Sequence, residues 1–119
     1  MMKEQIRSII EEIRPQFQIL GHFGFNGEGN PDAVVSSFVD VYEGYTKAKG
    51  LYVEKCGELP LNEGCCQFLV EDVDESELET AYSIAKAQGF LPPPQMARLF
   101  DFTMYMNSFF IAAQENNHK

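Results

Sequence analysis

Residues 96–113 constrain this chain more than any other stretch, because a helix drawn through them is apolar around most of its circumference. At about 100° per residue, Phe109, Phe102, Met106, Leu99, Phe110, Met96, Phe100, Ile111 and Met104 sweep roughly two thirds of a turn. Only a wedge holding Arg98, Asp101, Tyr105 and Ser108 reads as built for water. A helix of this kind must be wrapped by other helices or lend a face to a partner.

The rest of the chain offers the wrapping. Ile6, Ile9, Ile10, Ile13 and Phe17 follow i, i+3, i+4, i+7, i+11, which predicts one apolar helical stripe. Pro15 falls on the opposite side and predicts a kink there or an end near Arg14. The glycine-rich stretch 21–30 reads as a loop. Asn30-Pro31-Asp32 then has the form of a helix start: a capping side chain, proline in the first turn, and an acid beside the positive end of the helix dipole. Val34, Val35, Phe38, Val41, Tyr42 and Tyr45 share a face, and the phase continues to Tyr52, Val53 and Cys56 with Gly44 and Gly50 pointing outward. This predicts one long helix to about Cys56.

Residues 65–73 fit a helical stripe of Cys66, Leu69, Val70 and Val73 narrowly better than a strand. Asp74, with Glu77 at capping-box spacing, opens a further helix whose Leu78, Ala81, Tyr82 and Ala85 face inward and which Gly89 ends. Pro92-Pro93-Pro94 is a stiff spacer that starts the final helix. The expected fold is an all-α, single-domain bundle of four or five helices over residues 1–113, built around the Phe/Met-rich C-terminal helix, with 114–119 a frayed polar tail. The alternative is α+β, with a small hairpin formed by 51–55 and 65–70.

At 119 residues the chain is long enough to bury one core without disulfides or metals. Cys56, Cys65 and Cys66 cannot all pair within one chain, and adjacent cysteines rarely bridge each other. They read as small core residues of a protein kept in a reducing compartment. The N-terminus lacks the pattern of a signal peptide and no apolar run has the length of a membrane span, so the expected location is cytoplasmic.

Charge narrows the function. Eighteen acids against nine bases give a net charge of -9, and residues 56–85 contain no Lys or Arg. Such a surface repels phosphate, which argues against nucleic acid or an anionic membrane as partner and favours a basic protein. The run Glu71, Asp72, Asp74, Glu75, Glu77 and Glu79 is the candidate partner-binding surface, because capping a helix does not require six carboxylates so close together.

No catalytic constellation emerges. The glycines of 21–29 lack the Lys-Ser/Thr of a phosphate loop and the spacing of a dinucleotide fold. His22 has three cysteines as conceivable partners, but their acidic surroundings oppose a reactive thiolate. The cysteine spacing matches no zinc site, Glu115 and His118 form only one Glu-x-x-His, and a calcium loop begun at Asp72 lacks its glycine and its bidentate Glu. The expectation is therefore a small acidic binding protein without enzymatic activity, cofactor or metal. In its most concrete version it is an inhibitor or immunity-type protein that blocks a basic partner through carboxylates. A second expectation is a small-molecule-binding bundle whose pocket or interface uses His22, Phe102, Met106, Phe109 and Phe110. A third is a homo-oligomeric scaffold joined through the C-terminal helix.

Overall fold

The computed structural model describes residues 2–57 and 73–115. Among them lie five helices and no strand: α1 (Met2–Asn26), α2 (Pro31–Cys56), α3 (Glu75–Gln88), α4 (Pro93–Ala97) and α5 (Leu99–Glu115). The protein is an all-α helical bundle. Residues 51–55 belong to α2, so the hairpin alternative falls. Its second half, 65–70, lies outside the described residues, as do Cys65, Cys66, Leu69 and Val70 of the neighbouring stripe.

In α1, Ile6, Ile9 and Ile13 are buried and Ile10 and Phe17 half-buried, forming the face that packs on α2 and α5. The helix neither stops near Arg14 nor gives way to a loop at Gly21; it runs through Pro15 to Asn26. Proline is tolerated because it sits on the exposed side. The extension past Gly21 is held by packing: Leu20 is fully buried, Phe23 half-buried, and Gly24 lies directly against the Phe100 ring. Those contacts outweigh the roughly 1 kcal/mol that a glycine costs in a helix interior. The connection shrinks to residues 27–30. It opens with Gly27 at φ 68°, whose amide donates to the Phe23 carbonyl at 2.8 Å.

Asn30 caps α2 as expected, its side chain accepting from the amides of Asp32 and Ala33 at 2.8 and 3.3 Å. The helix is continuous to Cys56. Gly50 is exposed, but Gly44 is not: it is buried, and a Cβ there would come within 3.1–3.2 Å of Ile13 and Ile9. The outward placement expected for Gly44 is thus corrected, since the isoleucines of α1 pack directly against it.

Asp74 caps α3 through the Ser76 amide at 3.0 Å, with Glu77 three positions on at capping-box spacing. Leu78, Ala81 and Ala85 are buried, and Gly89 closes the helix at φ 76°. The single helix expected over 96–113 is instead split at Arg98. There φ is -93° and ψ 0°, and the amide bonds back to Gln95 at 3.1 Å, a one-residue tightening between α4 and α5.

Leu99, Phe102, Met106, Phe109, Phe110 and Ala113 of α5 are buried, and α5 packs against α1 and α2. The expected wedge is only half open to water. Ser108 is only 4% exposed, Tyr105 is half-buried with its ring 6.3 Å from that of Tyr45, and Arg98 pairs with Asp101 at 2.8 Å. Helical carbonyls let small polar side chains enter such a core, as Thr103 does by donating to Leu99 O at 2.8 Å. Gln114 and Glu115 are helical rather than part of a tail, and 116–119 lie outside the described residues. No helix among the described residues is long and apolar enough to cross a membrane.

Candidate functional site

Three of the six acids expected to form the partner surface, Asp74, Glu75 and Glu77, are engaged within the molecule. Asp74 is a cap. Glu75 accepts from the Tyr45 hydroxyl at 3.0 and 3.2 Å and pairs with Lys49 of α2. Tyr105 of α5 lies beside Tyr45, ring centroids 6.3 Å apart, within the electrostatic reach of the same carboxylate. Burial, and then the Glu75 charge, raise the ionisation of Tyr45 far above its ordinary value and push Tyr105 up to about 12. Glu77 accepts two hydrogen bonds from the Arg98 guanidinium, at 2.9 and 3.1 Å, which hold its carboxyl below the usual range. Glu79 is exposed and makes no ion pair with a described residue, while Glu71 and Asp72 lie outside the described residues.

Glu43, on α2, is a further tie to α3. It accepts from Lys86 at 2.8 Å and from Tyr82 at 2.7 Å, and these bonds lower its pKa. The Tyr82 ring in turn stacks on Tyr42, centroid to centroid 4.3 Å. These contacts were not foreseen from the sequence, because partners separated by 30 or more positions leave no local signature.

The residues expected to form a pocket lie at separate places among the described residues. Phe102, Met106 and Phe109 are core residues. Phe110 is also buried but lines one side of a shallow groove between α1 and α5. His22 is exposed on the last turns of α1, 2.9 Å from the Asn26 amide nitrogen and 3.9 Å from Glu28. Among the described residues no three His, Cys, Asp or Glu side chains cluster as a metal site would require. Cys56 is a half-buried free thiol.

A concavity lies elsewhere, between α1 and α2, and has a volume of about 350 Å³. Its origin is local. Ile9, Glu12, Ile13 and Gln16 recur at i, i+3, i+4, i+7 on α1, and Asp40, Glu43, Gly44 and Lys47 repeat that spacing on α2. Gly44 contributes no side chain, so the two helices come close over an isoleucine floor while the longer polar side chains stand up as rims. Glu12 and Asp40 are exposed and form no ion pair with a described residue, and Lys47 is the single cation of the lining. Gln16 Oε1 is buried without a hydrogen-bond partner. An acceptor left in that state costs about 1–3 kcal/mol until a donor reaches it. The sequence signal was present in the polar positions flanking Ile9 and Ile13, but it has meaning only once α2 is known to lie opposite.

Comparison of the chain with protein-family models, with curated proteins and with solved structures finds no match in any of the three. The functional reading therefore rests on geometry and charge.

Proposed function

We propose that this chain is a non-enzymatic binding protein for a basic protein partner, which it receives at the α1–α2 groove. The observation that carries the reading is the pairing of an isoleucine floor with the unneutralised carboxylates of Glu12 and Asp40 and the unpartnered acceptor Gln16 Oε1. A lysine or arginine side chain laid into that groove would place its methylenes on Ile9 and Ile13 and its donors among those oxygens. The net charge of -9 would speed the encounter, and the groove would set its register. An inhibitor or immunity-type protein that covers a basic nuclease or toxin is the form of binder this reading favours.

The test compares two variants with the same charge change, Glu12→Gln/Asp40→Asn at the groove and Glu4→Gln/Glu54→Gln away from it. Both are titrated with an arginine-rich peptide and followed by amide NMR shifts at low and high salt. The reading expects shifts centred on the groove and an affinity loss of about tenfold or more in the groove variant only, equivalent to about 1.4 kcal/mol. Equal losses in the two variants would mean that overall charge, not this groove, attracts the peptide.

A further inference from the structure

The second groove departs from the charge pattern of the rest of the molecule. It runs between α1 and α5 with a volume of about 220 Å³, and no acidic residue lines it. In a chain with eighteen acids and nine bases, that makes it an exception. Its walls are apolar: Ile10 and Phe17 on one side, Phe110 and Ile111 on the other, with the Phe17 and Phe110 rings edge to face at 5.7 Å. Arg14 stands over these walls. Like Arg7, Lys47 and Lys55, it is exposed and forms no ion pair with a described residue. Asn107 and Gln114 bring amide groups to the α5 side.

We propose that this groove is a binding site for a small monocarboxylate with an apolar body, an aryl or short alkyl acid. The guanidinium fork matches a carboxylate through two parallel hydrogen bonds, and the flanking amides can add donors. The isoleucine and phenylalanine walls take the hydrocarbon. A single cation fits one negative charge and not a polyanion. The volume falls below the roughly 300–1,000 Å³ of sites for larger organic ligands, which fixes the occupant as small. The site does not depend on the α1–α2 reading, and a basic partner would find Arg14 repulsive.

The experiment titrates the full chain with phenylacetate and hexanoate, and with the uncharged phenylacetamide and hexanamide, following amide NMR shifts. Saturable shifts of residues 10–17 and 107–114 are expected with the acids. Arg14→Gln should weaken acid binding about tenfold or more, down to the level of the amides on the unaltered protein, while Arg14→Lys retains part of it. Arg14 is exposed, so both variants should keep the far-UV circular dichroism and the unliganded spectrum of the parent. Acids and amides binding alike, shifts centred on Arg7 or Lys55, or acid binding unaffected in Arg14→Gln would each overturn the proposal.

Discussion

Gly44 and Gly50 occupy the same helix but face opposite surroundings, and that difference controls what a side chain would do at each. At Gly50 a Cβ meets nothing within 4 Å, so alanine brings only its better helix propensity. Gly50→Ala should stabilise the protein by about 0.5–1 kcal/mol. At Gly44 even a Cβ is 3.1–3.2 Å from Ile13 and Ile9, and the branches of valine must push α1 away. Gly44→Val should therefore destabilise by about 1–3 kcal/mol, and it should also fill the floor of the groove. Urea denaturation of the two variants checks both signs. Equal and small changes would show that α1 and α2 do not pack as closely as described. Periodicity put the two glycines on one outward arc, and only the crossing of two helices separates them.

At the scale of elements, carboxylates of α3 hold it to its neighbours. Glu75 satisfies Tyr45 and Lys49, so removing it leaves a buried hydroxyl and a half-buried ammonium without their acceptor. Glu75→Ala should cost about 1–3 kcal/mol. Exposed Glu79, on the same helix, should stay within about 0.5 kcal/mol on the same substitution. Chemical denaturation that ranks the two equally would show Glu75 to be a surface charge after all. The helices themselves were legible in the sequence: the Ile6–Phe17 stripe, the Asn30 and Asp74 caps and the Gly89 stop all stand where local chemistry puts them. What α1 does beyond Gly21 was legible only in part. Phe17, Leu20 and Gly24 continue the helical spacing, but the contact with Phe100 that holds the last turns comes from the other end of the chain. The same limit applied to the acids. Their density read as an outward surface, and the tyrosine, lysine and arginine that engage them are remote in sequence.

For the whole molecule, these buried and paired groups make stability depend on pH at both extremes, in opposite senses. Glu43 and Glu77 have pKa values below the usual 4.5 because Lys86, Tyr82 and Arg98 favour their charged forms. Their contribution is complete above the ordinary carboxylate range and disappears as pH falls through the lowered values. Tyr45 and Tyr105 behave in the reverse way. Burial and the charge of Glu75 favour their neutral forms, Tyr105 reaching about 12 against 10.0 in an open chain. Their contribution is complete below pH 10 and is lost above it, because the unfolded chain then gives up protons that the folded one retains. The urea midpoint should accordingly hold level from about pH 5 to about pH 9 and fall on either side. Glu43→Gln should make the acid fall shallower and also ease the alkaline one, because the Glu43 carboxylate raises the pKa of Tyr82 and Lys86. Tyr105→Phe should ease the alkaline fall alone, since phenylalanine has no proton to lose in either state. An alkaline fall as steep in Tyr105→Phe as in the parent would mean that Tyr105 does not govern the molecule above pH 10. The alkaline limb would then rest on Tyr45, whose hydroxyl is buried against Glu75.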